Sequence, residues 1–130
     1  VTWLAQLYGR GAADYIKPSP VQGLAAIGAA SSGTETDALN AAAALYEHGE
    51  LTGPLAALRE QSTQVIVFED SAGGIRATRH AVERLIQAGL DIHLMAVGVS
   101  TNPDKRAALA AVADHVVDDV NAGLALVYRT

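Results

Sequence analysis

The stretch VIVFEDSAGGI, residues 65 to 75, constrains the fold more than any other. Val65, Ile66, Val67 and Phe68 form an apolar run of β-branched and aromatic side chains, the reading of a strand buried on both faces. Glu69 and Asp70 follow at once, and Ser71 with the pair Gly73-Gly74 leads into a segment of helical periodicity. The two acids are therefore expected at the carboxyl end of a central strand, where open α/β sheets place their ligands.

Composition narrows the function classes. A chain of 130 residues reads as a single domain over 1–130, long enough to bury a core. Half of it is hydrophobic, yet aromatics supply only 5% and alanine much of the remainder, which predicts closely packed helices around a Val/Ile-rich sheet. A net charge of -5 offers no field to attract a polyanion, so nucleic acid is not expected as a partner, although local phosphate binding stays open. With no cysteine, thiolate catalysis, disulfides and zinc-thiolate sites are excluded. No apolar run reaches the roughly 18 residues of a membrane span and the amino terminus lacks a signal-peptide layout, so a soluble cytoplasmic protein without a membrane partner is expected.

In chain order, Trp3, Leu4, Leu7 and Tyr8 recur at helical spacing and stop at Gly9 and Gly11. Residues 12–16 read as a short extended piece that delivers Lys17 into KPSP. Pro20 suits the first position of the next helix, over 20–30, so Lys17 is expected at a helix entrance. SSGTETD is a polar turn in which Thr34 or Thr36 is placed to cap a helix over 37–48. A short helical piece over 55–61 leads to the strand at 65. A helix from Gly74 to a stop at Gly89, a strand over 92–99, a helix capped by Thr101 or Asn102 with Pro103 in its first turn, a short strand at Val116-Val117 and a closing helix over 120–127 complete the chain. Strands alternating with helices imply an α/β fold: a three-layer, Rossmann-like parallel sheet flanked by helices.

VFEDSAGGIRA, together with KPSPVQGLAAIGAA upstream and VADHVVDDVNAGLALV at the end, resembles the later motifs of the haloacid dehalogenase superfamily of phosphohydrolases, in that family's order. The resemblance covers most of the chain outside 31–62, which reads as an unusual helical insertion into a partial core of that type. It implies that Lys17 neutralises charge on the phosphoryl group and that Glu69 and Asp70 hold Mg²⁺, with Asp70 favoured as the direct ligand. It also implies a small phosphorylated metabolite as substrate. The chemistry fits independently of the family. Phosphoryl transfer is catalysed by positioning and by neutralising charged oxygens, which calls for a fixed ammonium and a carboxylate-bound hard cation. Carboxylates without cysteine or clustered histidine suit Mg²⁺ rather than zinc. Ser71 and the backbone N–H groups near Gly73 are placed to donate to an anion at a helix amino terminus.

The chain departs from the family at one decisive point: the nucleophile of such enzymes comes from an aspartate pair spaced Asp-x-Asp, and no such spacing occurs here. The Ser/Thr motif that precedes the lysine is not identifiable either, since Thr2 lies too near Lys17, and the segment 82–90 is elongated. The favoured expectation is the carboxyl-terminal part of a Mg²⁺-dependent phosphohydrolase or phosphomutase whose amino-terminal half precedes Val1. The alternative is a non-catalytic binding or assembly module that kept the fold and lost the chemistry. A flavodoxin-like nucleotide domain would need a phosphate-binding glycine loop after a first strand, and GLAAIGAASSG falls within a predicted helix instead.

Plainer roles compete at each position. Strand-end carboxylates commonly cap helices, most lysines are exposed, and Gly73-Gly74 would serve close packing. His48, His80, His93 and His115 fall on different elements and read as ordinary surface or packing residues. Asp118-Asp119 suits a cap for the final helix, and Arg76, Arg79 and Arg84 a solvated helix face.

Overall fold

The structure, a computed structural model, describes residues 20–128. The helix expected near residues 3–8, the extended piece over 12–16 and Lys17 lie outside the described residues. The elements follow in the order α1 (Pro20–Ser32), α2 (Glu35–His48), α3 (Gly53–Ala56) continued by a 3-10 turn (Ala57–Glu60), β1 (Ser62–Glu69), α4 (Ala72–Gln87), β2 (Asp91–Val99), α5 (Pro103–Ala110), β3 (His115–Val117) and α6 (Val120–Tyr128). None of these helices is long and apolar enough to cross a membrane.

The three strands form one parallel sheet in the order β1-β2-β3. Thr63 pairs with Ile92, Val65 with Leu94, Val67 with Ala96 and Glu69 with Gly98, so these residues share one face, while Ile66, Phe68, Met95, Val97 and Val99 share the other. On the first face Ile75 of α4 and Leu109 of α5 pack over Val67, Ala96 and Val116. The same face carries a larger cluster in which α1, α2, Leu55, Leu58 and the later turns of α4 surround Val65, Ile92 and Leu94. On the opposite face α6 comes so close that a Cβ at Gly123 would stand 3.3 Å from Val97 Cγ1 and against the Phe68 ring. The result is three layers, helices on both faces of a parallel sheet, as the alternation of elements predicts.

Alanine and glycine set the layer spacings. Ala38, Ala41, Ala42 and Ala43 of α2 and Ala77 and Ala81 of α4 are buried. A Cβ at Gly23 would stand 2.9 Å from Ala81 Cβ, so α1 and α4 meet almost backbone to backbone. Gly23 lies against Ala77, Thr78 and Ala81 in the middle of α4, whereas Ile27 and Ala30 line a depression with Thr63 and Val65, early in β1. Hence α1 runs in the same sense as α4, from the carboxyl edge of the sheet toward its amino edge. At the end of α2, Gly49 adopts φ 68° and donates to the Leu45 carbonyl at 2.9 Å, while Glu50 N–H reaches Ala44 at 3.4 Å, a left-handed helix stop that suits glycine.

Residues 31–62 fold as the end of α1, a helix α2 laid against α1, and a short helical turn, all packed with the main core. One expectation is corrected. The strand at 65–68 sits at an edge of the described sheet rather than its centre, and Val65 to Glu69 are only half-buried. The middle position belongs to β2, whose Ile92, Ala96 and Val97 are buried. An apolar run reports a strand that avoids water but not which neighbours provide the cover.

Candidate functional site

The parallel register carries both acids to one place. Glu69 closes β1 opposite Gly98, and the chain then leaves the sheet through Asp70. Ser71, at φ -131° and ψ 144°, is the N-cap of α4: its Oγ accepts from Gly74 N–H at 3.1 Å and its carbonyl from Ile75 N–H at 3.3 Å. The turn from strand to helix therefore spans only two residues, and the acids lie beside the first turn of α4, whose leading N–H groups have no partner within the helix.

The two carboxylates differ in their surroundings. Glu69 projects to the face that carries α4 and is half-buried, its carboxylate occupying the space where a side chain at Gly74 would begin. Asp70 is exposed. Both line an open depression of about 260 Å³ with Phe68, Val99 and Val120. Its apolar walls are the end of β2 and the start of α6, and Val120 is 49% exposed there although it is a large aliphatic residue. These walls were not singled out from sequence. The signal available was positional, because Val99 ends the second apolar run and Val120 follows the acidic pair at 118-119.

Of the residues expected at a phosphate site, Glu69, Asp70, Ser71 and Gly73 come together, as their adjacency dictates, while Lys17 lies outside the described residues. The Ser71 oxygen is engaged as a helix cap and keeps only its own proton to donate. Among the described residues nothing comes within 4 Å of a Cβ placed on Gly73, whereas one placed on Gly74 would meet the Glu69 carboxylate.

The arginines of α4 depart from the solvated face expected for them. Arg79 donates from Nε and Nη2 to the Val112 carbonyl at 2.9 and 2.7 Å. Arg84 donates to the Tyr46 carbonyl at 2.7 Å, and its guanidinium lies 5.2 Å from the Tyr46 ring centroid. Both tie α4 to neighbouring elements, and only Arg76 is exposed. Asp119 caps α6 by accepting from Ala122 N–H at 2.8 Å, whereas Asp118 pairs with Arg106 at 2.7 Å. Arg106 also donates to the Ser100 carbonyl at 2.9 Å, which ties the loop after β2 to the turn before α6.

His48, His80, His93 and His115 are all exposed and dispersed, and among the described residues no group of three or more His, Asp or Glu side chains is gathered for a metal ion. A larger depression, about 340 Å³, opens along β1 between Ile27, Leu58 and Thr63, but no charged side chain lines it. No protein-family model, no curated protein and no solved structure matches the chain.

Proposed function

We propose that the protein is a Mg²⁺-dependent phosphohydrolase or phosphomutase of the haloacid dehalogenase type, acting in the cytoplasm on a small phosphorylated metabolite. The observation that carries the reading is the pairing of Glu69 and Asp70 at the carboxyl edge of a parallel sheet, beside an open depression and the first turn of α4. Two adjacent carboxylates fit Mg²⁺, which is commonly held by one or two protein carboxylates while waters and substrate phosphate complete its shell. The absence of a larger ligand cluster among the described residues is compatible with that mode of binding. When bound, the ion supplies charge neutralisation at the phosphoryl oxygens.

The chain's own residues divide the remaining tasks. Asp70, exposed, is the direct ligand, and Glu69, half-buried against α4, is the second. Backbone N–H groups of the first turn of α4, at Ala72 and Gly73, orient an anion by donation. Lys17 balances the phosphoryl charge. Its inclusion is supported by the direction of α1: Lys17 precedes Pro20 by three residues, a reach of at most about 10 Å, and Pro20 opens α1 toward the carboxyl edge. The attacking aspartate comes from outside these residues, because the chain holds no Asp-x-Asp.

That same lack favours the second reading, a binding module that retains the fold without the chemistry. Hydrolysis of p-nitrophenyl phosphate by the full-length gene product, with and without Mg²⁺, separates the two. The first reading expects Mg²⁺-dependent turnover that Asp70→Ala abolishes; turnover indifferent to Asp70→Ala removes the acids from the site, and no turnover leaves the binding module.

A further inference from the structure

Two glycines open α4, and they stand in different surroundings. Among the described residues a Cβ at Gly73 would meet nothing within 4 Å, whereas a Cβ at Gly74 would overlap the Glu69 carboxylate, striking both oxygens and the carbon between them. Gly74 is also buried. Glycine is a poorer helix former than alanine, so the helix itself does not ask for it at position 74. The backbone there is ordinary helix, and no positive φ calls for it either.

We infer that Gly74 is a positioning residue: the space left by its missing side chain seats the Glu69 carboxylate between the end of β1 and the first turn of α4, and so fixes it relative to Asp70. Three features converge on that seat. Glu69 reaches it because its register with Gly98 directs it to the α4 face. Ser71 takes the Gly74 N–H at 3.1 Å, which fixes the first turn beneath the carboxylate. The amino-terminal end of a helix favours the negative charge placed there. Any side chain at position 74 pushes the carboxylate away from the turn and changes its distance from Asp70.

The inference has a structural part and a part that rests on the reading of Glu69 and Asp70 as a cation site, and one set of variants tests both. Gly74→Ala, Glu69→Ala, the double variant and the unsubstituted protein are compared by thermal unfolding without metal and by calorimetric titration with MgCl₂. Gly74→Ala is expected to lower the Tm more when Glu69 is present than when Glu69 is alanine, because the carboxylate that the new methyl group strikes is then gone. The difference between the two backgrounds measures the coupling of the two positions. If Gly74→Ala alone does not fold, recovery of folding in the double variant supports the inference and failure to recover overturns it. A Tm that rises, or stays unchanged, on Gly74→Ala in both backgrounds overturns it as well.

In the titration, Gly74→Ala is expected to weaken Mg²⁺ binding by roughly tenfold or more, the usual effect of losing a group that orients a ligand. Pairing it with Glu69→Asp, whose shorter side chain clears the new methyl group, restores part of that loss. Unchanged Mg²⁺ affinity in a folded Gly74→Ala protein overturns the positioning role. If the unsubstituted protein itself fails to bind Mg²⁺ at millimolar concentration, the cation reading falls, and the thermal comparison alone decides whether Gly74 seats Glu69.

Discussion

Arg79 and Asp114 close a polar bracket over the middle strand of the sheet. Arg79 Nη2 lies 3.4 Å from Asp114 Oδ2, and the same oxygen accepts from Ala96 N–H at 2.7 Å while Asp114 N–H donates to the Ala96 carbonyl at 2.8 Å. Ala96 is fully buried, so its N–H has no route to water. Asp114→Ala is expected to destabilise by about 1–3 kcal/mol, the penalty of an unsatisfied buried donor. Asp114→Asn keeps an acceptor and loses only a half-exposed ion pair worth about 0–1 kcal/mol. Urea unfolding of the two variants checks this, and equal losses would show that the ion pair, not the hydrogen bond, holds the bracket.

The contact between Gly98 and Leu109 limits how far α5 stands from β2. A Cβ at Gly98 would lie 2.9 Å from Leu109 Cβ and 3.1 Å from its Cδ2, and Leu109 is fully buried. Gly98→Ala is expected to destabilise by about 1–3 kcal/mol through overpacking, and Leu109→Ala by about 2–5 kcal/mol through the cavity it leaves. Because each change relieves the other, the double variant should lose less than the sum. Denaturation midpoints of the three proteins supply the test.

Helix caps give a sharper contrast. Asn102 Oδ1 accepts from Asp104 N–H at 2.9 Å and from Lys105 N–H at 3.2 Å, while Thr34, at the corresponding position of α2, makes no side-chain bond to its helix. Asn102→Ala should lower stability by about 0.5–2 kcal/mol. Thr34→Ala should stay within about 0.5 kcal/mol of the unsubstituted protein. Similar losses at both sites would mean that Thr34 caps α2 in solution after all.

Asp70 separates stability from ligand binding. It is exposed and holds no structural hydrogen bond among those described, so Asp70→Asn should change stability by no more than about 0.5 kcal/mol without metal. Under the proposed function, saturating Mg²⁺ raises the Tm of the unsubstituted protein by mass action, and Asp70→Asn removes that rise. Differential scanning calorimetry with MgCl₂ or EDTA reads both effects. A Mg²⁺-induced rise that survives Asp70→Asn would place the ion elsewhere.

The sequence by itself determined the elements and the address of the acids. Apolar runs ended by polar turns, Pro20 and Pro103 at helix starts, and Asn102 and Asp119 as caps all act within a few residues, so local chemistry suffices to read them. Glu69 and Asp70 had to fall at the carboxyl edge once the strand before them was parallel, since both are fixed by chain adjacency. Tertiary structure alone decided which strand lies in the middle of the described sheet, because an apolar run does not name its neighbours. It also decided that Arg79 and Arg84 tie α4 to distant backbone carbonyls, and that residues 31–62 join the core. Likewise the sequence shows Gly73 and Gly74 as an undivided pair. Only packing distinguishes them, because the carboxylate of Glu69 lies over Gly74 while no described residue closes on Gly73.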